Sequence, residues 1–556
     1  MYSSRTAQIF VLASYAITSV LGAPGVDFQF EKRQGQLPIL KLPYQSYQAT
    51  NYTPATDVYT FRNIRYGAST AGSGRWALPK APENNSTLSD GSYGPSCPQT
   101  VIPAPSIPGL PPGTLPPGAP PGGAFVPGPF SEDCLFLNLF VPGKALKNPS
   151  SKLPIIVSIH GGAYVIGNKD AADGTGIGNA ILVAGNYRLG PFGFLAGTVV
   201  EAQGKPNAGF YDQIAVFEWV QKYSSLFGGD KTDVSAWGES AGGGSVFHHM
   251  IFEGGKRDPL FNKAIVQSPA ISPQWDSRGQ FTEDYKTIEQ DVGCAGQGLA
   301  CLRNVPTDNI TLAGNAVQAS APGGVFRLGP APDGKLIRQL AQLEYASGNY
   351  WKGIKSVISS HVANEAEIFF DQTVTTDAGF DDWLRRAYPK VAIDQNGWAK
   401  KIAQVYPPVN ASGSPYKTES DRMRIFLQDT TFTCNTRFLS VAYIGQSWNI
   451  QYSTGDGLHG SDVFPTYYNG IPPNPMSQAY QSYLVSHATT GDPNTNRIKN
   501  ATIEWPKVQL PELAFPVLEA RNTSFGLIAD TKNPLSRCSF VLGFFQGASA
   551  QMGYAV

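Results

Sequence analysis

Five short apolar runs, each stopped by a turn, limit what this chain can fold into. Leu153 to Ile159 reads LPIIVSI and halts at Gly161-Gly162, and Ile181 to Tyr187 reads ILVAGNY. Val234 to Trp237, Ala264 to Val266 and Ile354 to Ile358 are the other three. A strand with one wet face alternates apolar and polar residues; these runs do not, so both of their faces are expected to be buried. Between the second and third, Asn207 to Phe227 carries Phe210, Ile214, Phe217 and Val220 at helical spacing. Strands alternating with helices predict a mostly parallel sheet covered on both sides, an α/β fold. No repeat or interdomain linker breaks the pattern, so residues 34–556 are expected to form a single domain.

Composition fits a large core and excludes one function class. Hydrophobic residues are 42% of the 556, and the 42 Lys and Arg balance the 42 Asp and Glu. A nucleic-acid binder working through bulk positive charge needs a basic surplus that is absent here. Gly and Pro are abundant, at 59 and 44. They concentrate in residues 101–130, with eleven prolines and six glycines. Such a run forms neither helix nor ladder strand, so it is expected to be a polyproline-like surface loop bracketed by Cys97 and Cys134.

The N-terminus carries export signals. Arg5 precedes an apolar stretch from Ala7 to Leu21, and Val20 and Gly22 stand at the −3 and −1 positions of a cleavage site, so residues 1–22 read as a signal peptide. Lys32-Arg33 is a dibasic pair that would end a propeptide of residues 23–33. Seven sequons start at Asn51, Asn84, Asn85, Asn309, Asn410, Asn500 and Asn522, as expected of a secreted glycoprotein. No later segment is long and apolar enough to span a membrane. The six cysteines, Cys97, Cys134, Cys294, Cys301, Cys434 and Cys538, suggest three disulfides among 15 pairings. Cys294 and Cys301 are close enough to close a local loop. No Cys/His spacing suggests zinc, and no metal or cofactor is expected.

The chemistry centres on Gly238-Glu239-Ser240-Ala241-Gly242, a G-x-S-x-G sequence between the strand DVSAW and a helix-forming AGGGSVFHHMIF. A serine on a sharp strand-to-helix turn is lifted above the sheet, and its crowded backbone needs neighbours without side chains. The hydroxyl is a weak nucleophile until a base takes its proton. Of six histidines, His248 and His249 follow on the same helix, where they pack or face solvent. His160 sits in a Gly-rich turn, His361 near a strand end, and His487 in a helix-like stretch. His459 lies in the loop Gly455 to Asp462 (GDGLHGSD) and comes last in the order serine, acid, histidine. His160-Gly161-Gly162-Ala163-Tyr164 follows a buried strand, where backbone donors for an oxyanion belong.

With these motifs, the chain resembles the type-B carboxylesterase/lipase family, which includes cholinesterases, carboxylesterases and fungal lipases. Glu132 to Asn138 (EDCLFLN), Asn186 to Gly190 (NYRLG), the block from Asn207 to Gly242 and Gly491 to Asn494 (GDPN) all match its pattern. The resemblance implies the α/β-hydrolase fold over nearly the whole mature chain. It implies Ser240 as nucleophile, His459 as base, and Gly162, Ala163 and Ala241 as oxyanion donors. Ala163 stands where a third glycine is usual, which is tolerable if its φ stays negative. The implied acid is Glu365, in Asn364-Glu365-Ala366-Glu367-Ile368-Phe369, with Glu367 as competitor and Asp462 a remote third. The implied disulfides are Cys97–Cys134, Cys294–Cys301 and Cys434–Cys538.

The expected activity is hydrolysis of moderately apolar carboxylic esters through an acyl-enzyme, falling as pH drops through roughly 6–7 as His459 takes a proton. The alternative within enzymes is a lipase acting on triglycerides or sterol esters, against which the Pro/Gly loop argues because it cannot hold a hinged lid helix. A third reading, an adhesion module, would lack a member of the triad. Partners are then small-molecule or lipid esters. Trp275 is a candidate acyl-pocket residue, with aromatic core packing its alternative. The oligomeric state is not legible.

Overall fold

The computed structural model describes residues 30–31, 37–100, 129–275, 279–395, 397–509 and 515–551. The expected signal peptide, the Lys32-Arg33 pair and residues 101–128 of the Pro/Gly loop lie outside them. A small antiparallel sheet joins β1 (Phe30–Glu31), β2 (Ile39–Lys41) and β3 (Ser46–Gln48). The dominant sheet contains β4 (Asn51–Thr53), β5 (Val58–Arg65), β6 (Phe136–Pro142), β7 (Leu153–Ile159), β8 (Ile181–Gly185), β9 (Gly229–Glu239), β10 (Lys263–Gln267), β11 (Ser356–Val362), β12 (Ser447–Tyr452), β13 (Pro516–Ala520) and β14 (Phe525–Ala529). Their spatial order is β14-β13-β12-β11-β10-β9-β7-β8-β6-β5-β4. From β8 through β13 every neighbour is parallel, and the antiparallel pairings lie at the two margins. This is the α/β-hydrolase arrangement.

The five apolar runs are all central strands, because helices bury both of their faces. The helix Ala208–Tyr223 buries Phe210, Ile214, Phe217 and Val220. Three strands run beyond their expected limits, the fourth by one residue at each end, Lys263–Gln267. The third begins at Gly229, and Asp230, Lys231, Thr232 and Asp233 bulge out of the ladder between the Gly229 and Val234 pairings with β7, their side chains reaching toward solvent. The fifth is displaced toward Val362 and takes in His361.

Several motif residues turn out to be structural. Glu132 forms a bidentate pair with Arg75, at 2.6 and 2.7 Å, with both side chains buried. Arg188 does the same with Asp212, at 2.7 and 2.8 Å. Arg75 also donates to the Leu302 and Val305 carbonyls, and Arg188 to the Ala77 carbonyl. Buried charges persist when paired and fully hydrogen-bonded, as these are. The three disulfides are Cys97–Cys134, Cys294–Cys301 and Cys434–Cys538, as the resemblance implied. The last fastens the C-terminal helix Leu535–Gln551 to the helix Cys434–Ala442.

Candidate active site

The C-terminal ends of four parallel strands converge on one point, as ligand sites in open α/β sheets do. β9 ends at Glu239, and Ser240 follows at φ 58° and ψ −123°, outside the regions open to most residues. The helix Ala241–His249 begins at once. The flanking glycines are required by contact. A Cβ on Gly238 would lie 2.2 Å from the Gly242 carbonyl oxygen, and one on Gly242 only 2.0 Å from that of Ile159. Strain of this kind costs about 1–3 kcal/mol and persists only where its surroundings enforce it.

Beyond β11 the chain reaches Glu365, and beyond β12 it reaches His459. The two loops are tied together. Asn364 donates its backbone N–H to the Gly457 carbonyl at 2.8 Å and its side chain to the Asp456 carbonyl at 2.7 Å. His459 Nδ1 then lies 2.5 Å from Glu365 Oε2, and Nε2 lies 2.7 Å from Ser240 Oγ. The Val362 N–H holds Glu365 Oε1 at 2.8 Å. Phe369 and Phe432 pack on the imidazole with centroids at 5.1 and 4.8 Å, fixing its plane. Glu365 is fully buried.

Glu367, two residues on, is half exposed and pairs with Arg424 at 3.2 Å. Asp462 is buried and accepts from the Gln267 amide at 2.8 Å. On the other side of Ser240, β7 ends in the turn carrying Gly162 and Ala163. Among the described residues, the backbone N–H groups of Gly162, Ala163 and Ala241 donate to no protein acceptor. The condition set for Ala163, a negative φ, is not met: it is +55°, and Tyr164 follows at +64°. The turn keeps its left-handed course although a Cβ occupies the third position, so Ala163 carries the strain a glycine would avoid.

Burial alone would depress His459, but the carboxylates around it, Glu365 first and then Glu239, raise it to about 9. Glu239 itself is pushed up by burial, with Asp462 and Glu365 adding to the rise. Its Oε1 lies 3.5 Å from His459 Nε2 and has no hydrogen-bond partner among the described residues. His160, His248 and His249 are buried and pushed down to about 4, 4 and 3, so they stay neutral at ordinary pH.

Residues 46–527 match the model of the carboxylesterase family. The chain belongs to that family. As a carboxylesterase-family protein it is a carboxylic-ester hydrolase, and its relatives agree. It is 37% identical over 541 residues to a secreted lipase of Arthroderma benhamiae, covering 93% of this chain and 95% of that one. It is 31% identical to the carboxylesterase patB of Aspergillus clavatus, covering 82% and 89%. Among solved structures, Aspergillus niger EstA superposes with a TM-score of 0.77 at 25% identity, covering 93% of this carboxylesterase and all of EstA.

Sequence reasoning missed three buried ionisable groups near this site: Glu239, His361 and the depth of Asp462. The one available signal for Glu239 was its place between two glycines that admit no side chain. Trp275 sits in the aromatic core instead of an open pocket. It packs against Tyr388, Phe544 and Phe545 and donates to Ser549 Oγ at 3.1 Å.

Proposed function

We propose that this hydrolase cleaves esters through an acyl-enzyme on Ser240, with His459 as base and acid and Glu365 orienting it. The observation that carries the reading is the hydrogen-bonded line from Glu365 Oε2 through both His459 nitrogens to Ser240 Oγ. With Nδ1–H donated to the carboxylate, the Nε2 lone pair faces the hydroxyl and can take its proton as Oγ attacks the ester carbonyl. The N–H groups of Gly162, Ala163 and Ala241 then stabilise the oxyanion, each worth about 3 kcal/mol of barrier. The protonated ring hands its proton to the leaving alcohol, and a water, deprotonated by the same ring, hydrolyses the acyl-enzyme. The test is labelling by a serine-directed phosphonate followed by peptide mapping. The adduct belongs on Ser240, and Ser240→Ala should keep its melting temperature while losing about 10⁶ in turnover. Residual turnover above about 1% rejects the assignment.

Droplet triglyceride is the second substrate reading, favoured by the relative named a secreted lipase. A rate measured across the saturation point of a short-chain triglyceride separates the two. A smooth curve fits dissolved or micellar esters, and a jump when droplets form fits the lipase. Secretion rests on the same relative and on the signal peptide and propeptide read from residues 1–22 and 23–33, with residues 34–556 as the single catalytic domain. All seven sequon asparagines are solvent-exposed, as glycan attachment requires.

A further inference from the structure

We infer that His361 is a positioning residue for the triad acid: a buried imidazolium that anchors the peptide holding Glu365 and supplies positive charge beside it while His459 is neutral. The ring is almost inaccessible, with both nitrogens engaged. Nδ1 lies 3.0 Å from the Val362 carbonyl oxygen, and Nε2 lies 3.0 Å from Asp530 Oδ2. Both partners are acceptors. A carbonyl has no proton to give, and Asp530, whose Oδ1 accepts the Lys532 N–H, is held below its ordinary value against burial by His361 and by the backbone N–H groups of Lys532 and Asn533, so it faces the ring as a carboxylate. A neutral imidazole has one N–H and would turn a lone pair on one of these oxygens. Only the doubly protonated ring satisfies both.

The same peptide unit links this pair to the acid. The Val362 carbonyl accepts from His361, and the Val362 N–H donates to Glu365 Oε1 at 2.8 Å. Asp530 follows β14, so the C-terminal hairpin is coupled to the site through one ring. The charged groups bearing on His361 are Asp530 and Glu365, and Asp530 is faced in turn by Arg437 and Lys532. Burial works against a charge at His361. Asp530 foremost, then the Val362 carbonyl and Glu365, overcome it and raise the ring above its ordinary value.

Two measurements test this. In protein carrying isotope-labelled histidine, the six rings are followed by NMR, His361 being assigned by its absence from a His361→Gln/Asp530→Asn double variant. Its ring should still be doubly protonated at a pH above the free-imidazole value of about 6.5, where an unperturbed ring has become neutral. A neutral ring there overturns the inference. In kinetics, His361→Gln makes the surroundings of His459 more negative by one charge, so the acid limb of kcat should move up by about half to one pH unit. The double variant removes both charges, and its limb should return toward that of the unaltered enzyme. A merely structural role lowers kcat at every pH, leaves the limb in place and gains nothing from the second change, and that result overturns the inference. The kinetic arm rests on His459 being the base, while the NMR arm does not, so the two readings fail separately.

Discussion

Replacing Glu365 by glutamine separates the geometry of the acid from its charge. The Val362 N–H holds Oε1 at 2.8 Å, so the amide of Glu365→Gln will turn its oxygen there and its NH₂ toward His459 Nδ1. That nitrogen must then accept, the ring proton moves to Nε2, and the lone pair that should face Ser240 is lost. Flipping the amide restores the tautomer but sets two donors against each other at Val362, at a cost of about 1–3 kcal/mol. Even then the imidazolium formed during turnover has lost a buried countercharge, worth about 3–5 kcal/mol. Together these raise the barrier by about 5 kcal/mol, or ~10⁴ in kcat. The fold should hold, because the variant removes a buried charge. Glu367→Gln breaks only a partly exposed pair with Arg424 and should change kcat less than about twofold. The assay is kcat on a chromogenic short-chain ester with melting temperature as control. Glu365→Gln retaining a tenth of its activity, or Glu367→Gln being the damaged variant, refutes the reasoning.

Three further outcomes are expected. His459 must be neutral to act and is raised by its carboxylates, so activity should fall as pH drops, with a midpoint above 6.5 and below about 9. A pH–rate profile of kcat/KM checks this, and a midpoint at or below about 6.5 would contradict it. Ala163→Gly should raise stability by about 1 kcal/mol in urea unfolding, because the left-handed backbone at φ 55° penalises a Cβ by about 1–2 kcal/mol and glycine gives part of that back to the unfolded chain. Removing Cys434–Cys538, which closes 104 residues, should cost ~4.7 kcal/mol in the chain-entropy model, against ~2.4 for Cys294–Cys301, which closes 7, so denaturant midpoints should fall in that order.

The sheet was legible because strands buried on both faces leave an unbroken apolar signature, as LPIIVSI and ILVAGNY do. Ser240 and His459 were legible for another reason: a crowded turn demands its glycines, and six histidines make a short census. Glu365 was harder. A window of NEAEIF holds two carboxylates, and nothing local tells which one the fold turns inward. The tie from Asn364 to Gly457 and Asp456 makes that choice, and it joins residues more than ninety apart. Glu239, His361 and Ala163 were illegible for the same reason. Depth, a partner 169 positions away and the sign of φ are properties of the assembled sheet. The polar opening of β9 hid its first five residues, because only Gly229 among them pairs with β7 and the four that follow bulge toward water, where apolar side chains are not needed.

Among the described residues the eleven-strand sheet does not close on itself, so it ends in two margins, rows of outer peptide groups that add no further strand, along β4 and β14. Such margins invite a second chain to add a strand, and exported proteins at high concentration meet that hazard most. Asn51 is the first residue of β4, and Asn522 lies in the turn leading into β14, its Oδ1 bound to the Gly455 N–H at 2.7 Å so that its orientation is fixed. A sugar tree on each would stand as a fender over each row. The same polypeptide made in a host that adds no sugars would present both rows bare, and light scattering during refolding is where the difference should register.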